Sequence, residues 1–244
     1  MRNQMRVAFT NVIHSKFFYL TFAIMGVFSV MNIIKQIIID RTTDTGASVF
    51  IQTLEDSSLT FVLSVCVACM IGSEFTNRTI DNEVRIGYSR FSVVLSRAIV
   101  ILPLSVMPCY LEVAMSTIST GIANGFQPSL PAADLLIRFA IFSIQVISIQ
   151  SVTLLIMFAC KKAFTGIIIS FVFALLTCNI LRALWPVGGG IFKYTNYYRI
   201  MMTVELGTDT LSAQDNWISL AVAIISLAIT VCAAYIIFWR AELK

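Results

Sequence analysis

The sequence predicts an all-α membrane protein with six transmembrane helices. Of its 244 residues, 58% are hydrophobic and 12% are charged, and the mean hydropathy is +0.86. A soluble globule of this size needs more polar residues than that to cover its surface. Six apolar runs approach or exceed the about 20 residues with which a helix crosses a bilayer. Because these runs are continuous and do not alternate with a period of two, helices are favoured over a β-barrel.

The six runs define a single transmembrane domain over residues 1–244. The predicted spans are Phe17–Ile39, Ser57–Gly72, Ala98–Thr120, Asp134–Cys160, Ala163–Leu181 and Trp217–Trp239. After the fifth span, Trp185, Pro186 and three consecutive glycines precede an aromatic-rich segment. We expect a re-entrant or interfacial helical segment there, between spans five and six. An aromatic-rich external loop is the alternative.

The basic residues are distributed unevenly between the two sides of the predicted bundle. Eleven of the seventeen Lys and Arg residues precede the first span, follow the last one, or lie in the connections between spans two and three and between spans four and five. Short loops rich in Lys and Arg stay on the inner side of a membrane. We therefore expect a multi-pass protein of a bacterial plasma membrane with both termini in the cytoplasm.

Residues 1–16 precede the first span and are predicted to form an amphipathic helix. Met5, Phe9, Val12 and Ile13 recur at helical spacing among polar and basic residues. Such a helix would lie on the inner leaflet of the bilayer. A frayed tail is the alternative.

Several kinds of chemistry are missing from the sequence. Six cysteines lie in or beside apolar runs, and the single histidine, His14, is predicted outside the bilayer, so we expect no bound metal. No Lys follows a Gly, which excludes the phosphate-binding loop G-x-x-x-x-G-K-[ST]. No nucleophile turn with a histidine in the bilayer is present either. The chain is therefore predicted not to be an enzyme, to bind no cofactor of its own and to have no nucleic-acid partner.

The connection between spans two and three, residues 71–90, is the most highly charged stretch of the chain. Thr79 can cap a short helix, Asp81 and Glu83 complement the positive end of its dipole, and Gly87 can end it. Ile80 and Val84 share one face of this helix. We predict a short amphipathic helix that docks on a partner through that face. A solvated loop helix without a partner is the alternative.

The same connection resembles a motif of bacterial type-2 ATP-binding-cassette permeases. Glu74-Phe75, Thr79-Ile80, Gly87 and Arg90 follow the pattern E-F-x-x-x-T-I-x-x-x-x-x-x-G-x-x-R, and Arg97 stands where the pattern usually has Lys. The layout is similar as well, with an amphipathic N-terminal helix and six spans.

The resemblance implies that Thr79–Ile86 is a coupling helix that docks on a separate ATPase subunit, which would hold ATP and Mg. It also implies a second permease copy, identical or related, as partner, and a bilayer around both. The residues it assigns to coupling are Glu74, Thr79, Ile80, Asp81, Glu83, Val84, Arg85, Gly87 and Arg90.

Polar residues within spans three and four are candidates for a substrate path. They are Ser105, Glu112, Ser116, Gln145 and Ser148. A charge at mid-membrane costs roughly 2.5–3.5 kcal/mol on insertion scales, so Glu112 must face protein or water. A buried hydrogen-bond network with a protonated Glu112 is an equal alternative.

Stripes of small residues at four-residue spacing mark three spans. The stripes are Ser64, Ala68 and Gly72; Gly166, Ser170, Ala174 and Cys178; and Ser226, Thr230 and Ala234. Such stripes allow helix backbones to approach closely, either within one subunit or at a dimer interface.

The function predicted from these features is that of the membrane subunit of an ATP-driven exporter of an amphiphilic substrate, most simply a membrane-active or antimicrobial peptide. Two alternatives stay open. One is an ion-gradient-driven secondary transporter that uses Glu112, and the other is an immunity or sensor subunit that binds a toxin without moving it.

Overall fold

The computed structural model describes residues 2–35, 58–125, 132–192 and 213–240, and these residues form eight helices. The helices are α1 (Arg2–Ile13), α2 (Lys16–Lys35), α3 (Ser58–Thr76), α4 (Thr79–Arg85), α5 (Arg90–Asn124), α6 (Ala132–Cys160), α7 (Ala163–Phe192) and α8 (Ala213–Arg240). The prediction of an all-helical protein is confirmed for this part of the chain.

Six of the helices are long, and each overlaps one predicted span. Three described segments are both long and apolar enough to cross a membrane: Arg90–Ile122, Phe139–Cys160 and Leu220–Arg240. The α1–α2 pair, bent by 51°, would make a fourth if it counts as one span. Val62–Thr76 and Ala163–Thr177 are shorter apolar segments. The count of six spans stays a prediction.

Helix α3 lies at the centre of the bundle, in contact with α2, α5, α6 and α7. Helix α3 approaches α7 closely at Gly72, where a Cβ added to the glycine would lie only 2.9 Å from the Cβ of Ala163. The small residues of α3 (Ser64, Ala68, Gly72) and of α7 (Gly166, Ser170, Ala174) are buried. These two stripes therefore serve packing inside one chain.

Helices α6 and α8 are joined by two pairs of hydroxyl groups. The Ser148 and Ser226 hydroxyls lie 2.5 Å apart, and so do those of Ser151 and Thr230. The third small-residue stripe is thus also used within the chain.

Three phenylalanines join α3, α6 and α8 at one end of the core. The Phe158 ring packs edge to face against Phe75 at 5.4 Å and against Phe238 at 5.2 Å between ring centroids. Aromatic pairs favour this geometry, and it holds the end of α8 against the centre of the bundle.

Helix α1 is confirmed, but its faces differ from the prediction. Gln4, Ala8 and Val12 are buried, and α1 packs against α5. Val12 was predicted to face lipid, whereas Phe9 is exposed as expected. Helix α1 therefore packs on α5 through the face formed by Gln4, Ala8 and Val12.

Helix α7 does not end at Leu181, where the predicted fifth span ends, and the extent of the span itself stays a prediction. Helix α7 continues through Trp185, Pro186 and the three glycines to Phe192. Proline removes one backbone donor, but a break in a membrane helix would expose several backbone groups to hydrocarbon, so continuing the helix costs less. The rest of the expected re-entrant segment, residues 193–212, lies outside the described residues.

Candidate functional site

The short helix α4 follows α3 after only Asn77 and Arg78. Arg78 occupies the N-cap position in the left-handed region, with φ of 54° and no side-chain cap, and Thr79 is already the first helical residue. The prediction of Thr79 as the N-cap is therefore wrong by one residue. The left-handed Arg78 turns the chain sharply between the two helices.

The predicted end of α4 at Gly87 is confirmed. Gly87 has φ of 104°, a conformation that glycine adopts at little cost. Its N–H donates to the Val84 carbonyl at 3.1 Å, and the Tyr88 N–H donates to the Glu83 carbonyl at 3.2 Å. These two bonds make a Schellman motif, which satisfies carbonyls at the helix end and holds Tyr88 in place.

The apolar face of α4 points into the bundle, contrary to the prediction that it docks on a partner. Ile80 is 0% exposed, and Val84 packs partly buried against the same core. Because the turn at Arg78 folds α4 back onto α3 and α5, the chain itself covers this face. The exposed residues are instead Asn82, Arg85, Ile86 and Tyr88, and Ile86 is 77% exposed.

A buried charge cluster connects α4 with the two helices that flank it. Arg97 is 0% exposed on the second turn of α5. Its Nε donates to Glu74 Oε2 at 2.9 Å, at the end of α3. Its Nη1 and Nη2 donate to the two carboxylate oxygens of Glu83 on α4, at 2.5 and 2.7 Å. The Arg97–Glu83 contact is the bidentate geometry that makes such pairs strong and directional.

The cluster extends to the N-terminal helix through an amide. The Asn11 Nδ2 on α1 donates to Glu74 Oε1 at 3.3 Å. Four helices (α1, α3, α4 and α5) thus meet at one buried group of two carboxylates, one guanidinium and one amide. Removing one partner of a buried ion pair leaves an uncompensated charge, so displacement of α4 is opposed unless Arg97 and Glu74 move with it.

Arg90 lies at the first position of α5 and holds the end of α8. Its Nη1 donates to the backbone carbonyls of Phe238 at 3.1 Å and Trp239 at 2.5 Å, and its guanidinium lies 5.8 Å from the centroid of the Phe238 ring. A cation at a helix C-terminus satisfies free carbonyls and complements the dipole. Arg90 therefore connects α8 to the start of α5 next to α4.

The five candidate path residues are all buried inside the chain. Ser105, Glu112 and Ser116 lie on α5, and Gln145 and Ser148 lie on α6. Ser105 donates to the Leu102 carbonyl of its own helix at 2.7 Å, and Ser148 contacts Ser226. The alternative of a buried hydrogen-bond network therefore describes Ser148 well. A role of these residues in a substrate path stays a prediction.

Cys66 is buried and contacts a neighbouring helix. The Thr21 hydroxyl donates to Cys66 Sγ at 2.6 Å, which connects α2 with α3. Within the described ranges, no group of three or more His, Cys, Asp or Glu side chains is placed to hold a metal ion.

Sequence reasoning did not identify Asn11 as part of the site, nor the partners of Arg97. One signal was available, since an arginine seven residues into a helix that continues as an apolar span requires a buried partner. Which acid serves as that partner depends on the path of α4. Glu83 lies fourteen residues before Arg97 and on a different helix, so helical periodicity does not predict their contact.

The buried charge cluster lies within a region that matches a known protein family. The model of one protein family, described as ABC-2 family transporter protein, matches residues 9–177. The matched range includes Asn11, Glu74, Glu83 and Arg97 and ends within α7. No curated protein and no solved structure matches the chain.

Proposed function

The chain belongs to the ABC-2 family of transporter proteins, and from this premise we propose that its buried charge cluster transmits movement from a separate ATPase to the membrane helices. As a member of this family the chain is a permease subunit of an ABC transporter and a multi-pass membrane protein, and such permeases generally act as dimers with an ATPase partner. The observation that carries the proposal is the contact of Arg97 with both Glu74 and Glu83.

The proposed docking surface is the exposed end of α4. It consists of Asn82, Arg85, Ile86 and Tyr88 and replaces the face formed by Ile80 and Val84. Ile86 is large, apolar and 77% exposed in a segment otherwise rich in charge, which suits insertion into a groove on a partner. The Schellman motif at Gly87 keeps this end of α4 in one conformation, so little entropy is lost on docking.

Transmission of movement would start when the ATPase displaces α4. Glu83 would carry that displacement to Arg97 on α5, and Arg97 would carry it to Glu74 on α3 and from there to Asn11 on α1. Because the Glu83–Arg97 contact is bidentate and buried, it resists rotation as well as separation. ATP and Mg would bind to the partner, and this chain would transmit the movement of α4 to the membrane helices.

The proposed substrate, orientation and dimeric state rest on family resemblance and charge distribution. The proposed substrate is an amphipathic peptide that leaves toward the outside, as in similar permeases of this size. The excess of basic residues around α1, α4 and the α6–α7 turn supports a cytoplasmic position for α4 and for both termini. The transporter would be a dimer of this permease, with itself or a related chain.

The test is co-purification of the permease with its partner ATPase, together with substrate-stimulated ATP hydrolysis. We expect Ile86→Asp to weaken the association by about tenfold or more, because it puts a charge at the centre of the proposed docking surface. Val7→Asp is the matched control, since Val7 is an exposed apolar residue of α1 outside the proposed docking surface.

An Ile86→Asp permease that retains full association and full stimulation of the ATPase would exclude this docking surface. Ile80→Asp is expected to prevent folding, because it places a charge in the core. The yield of folded permease after detergent extraction distinguishes a loss of docking, expected for Ile86→Asp, from a loss of folding, expected for Ile80→Asp.

A further inference from the structure

A cavity of about 550 Å³ lies in the angle between α1 and α2, and we refer to it as the elbow pocket. Its walls come from the α1–α2 bend, the end of α3 and the start of α4. Small-molecule sites commonly have volumes of 300–1,000 Å³, so the elbow pocket is large enough for a small polar group.

Lys16 places a positive charge at the mouth of the elbow pocket. Lys16 and His14 line it and are exposed. The acid among its described lining residues is Glu74, which already pairs with Arg97 and accepts a hydrogen bond from Asn11. The exposed Asn77 side chain adds amide donors on the α3 side.

The surroundings of the elbow pocket are apolar on one side. Phe17 and Leu20 line it from the first turns of α2 and are 40% and 54% exposed. Lys16 marks the start of this long apolar helix, where basic side chains reach the headgroup level of a bilayer. The elbow pocket thus combines a cationic, hydrogen-bonding part with an apolar rim at the level where a helix enters the membrane.

We propose that the elbow pocket binds the phosphate-bearing headgroup of an anionic phospholipid, with Lys16 as its ion-pair partner, Asn77 as a hydrogen-bond donor, and Phe17 and Leu20 against the upper part of an acyl chain. A cation contributes most where the phosphate is partly withdrawn from water, and an acyl chain adds apolar contact that a soluble phosphate cannot make. Both parts of the pocket are then used by one ligand.

The bound lipid would lie next to the coupling cluster. Glu74 and Thr79 form part of the pocket wall, and they also belong to the end of α3 and the start of α4. The lipid inference does not depend on the proposed function, because lipid binding can be measured on the permease without any ATPase.

The experiment is native mass spectrometry of the full chain in a neutral detergent, titrated separately with phosphatidylglycerol, phosphatidylcholine and glycerol 3-phosphate. We expect one phosphatidylglycerol per chain to be retained in preference to phosphatidylcholine. Lys16→Gln should weaken this binding by about fivefold, and Lys16→Arg should restore it. The control is Lys162→Gln, which removes an exposed cation at the α6–α7 turn that does not line the pocket and should leave this binding unchanged.

Two outcomes would overturn the proposal. Equal losses in Lys16→Gln and Lys162→Gln would mean that anionic lipid is attracted by overall charge alone. Displacement of phosphatidylglycerol by an equal concentration of glycerol 3-phosphate would assign the pocket to a soluble phosphate. If Lys16→Gln lowers the yield of folded protein, Asn77→Asp provides a second test, because it adds a negative charge to the rim and should weaken binding in the same titration.

Discussion

Two buried polar groups of this bundle, the charge cluster around Arg97 and the hydroxyl pairs between α6 and α8, hold helices together in different ways. The charge cluster joins four helices through a bidentate ion pair, a second ion pair and an amide. The hydroxyl pairs join two helices, and three of their members, Ser151, Ser226 and Thr230, also donate to carbonyls of their own helix. A hydroxyl that loses its partner keeps a local acceptor, whereas the local acceptor of Arg97 is the neutral Ser96 hydroxyl at 3.1 Å, which cannot replace a carboxylate. The cluster is therefore suited to transmit movement, and the hydroxyl pairs are suited to packing.

The largest effect is expected from Arg97→Ala. It leaves the Glu74 and Glu83 carboxylates buried without their cation, which costs about 3–5 kcal/mol when one partner of a buried ion pair is removed. The measurement is the thermal unfolding of the detergent-solubilised permease, with exposed Arg85→Ala as the control. Equal stability of the two variants would mean that Arg97 in the cluster contributes no more to the stability of the fold than an exposed surface charge does.

Glu83→Gln is expected to separate docking from transmission. It keeps the size of the side chain and one acceptor but replaces the charged bidentate contact with a neutral amide. The ATPase should still co-purify, because the exposed end of α4 is unchanged, while substrate-stimulated ATP hydrolysis should fall by about tenfold. Retained stimulation would show that the Glu83–Arg97 contact is not part of the transmission.

Glu112→Gln tests whether the buried polar residues of α5 carry an ion-coupled function. An ATP-driven permease should keep substantial activity, since the variant preserves size and hydrogen bonding while removing the titratable charge. The assay is uptake into inverted vesicles, with ATP and a proton gradient supplied separately. Uptake that follows the gradient without ATP, and that is lost in the variant, would favour the secondary transporter.

The smallest effect is expected from Ser151→Ala. Hydrogen bonds between membrane helices are worth about 0.6 kcal/mol on average, and Thr230 keeps its carbonyl acceptors on α8. The midpoint of thermal unfolding should change little compared with Arg97→Ala. A loss of stability as large as that of Arg97→Ala would remove the distinction between the two polar groups.

The resemblance seen in the sequence is confirmed by the family match, and much of the local structure was predictable too. Gly87 ends α4 because its φ is positive, which is a property of that residue and its neighbours. The six long helices follow from runs of apolar residues, since a helix is the structure that satisfies backbone groups in hydrocarbon. Gly72 and Gly166 were predictable as sites of close packing, although not the helices they approach.

Hydropathy, capping and the motif around Glu74 and Arg90 by themselves determined the class of the protein, most helix positions and the family. Only the tertiary structure decided the direction of α4 and the partners of Arg97. The apolar face of a seven-residue helix can be buried equally well by a partner or by its own bundle, and the turn at Arg78 brings Ile80 to the bundle. A buried guanidinium can pair with any acid in reach, and Glu83 comes into reach only because α4 folds back over α5. Both outcomes depend on which helix lies alongside, and no local pattern of residues contains that information.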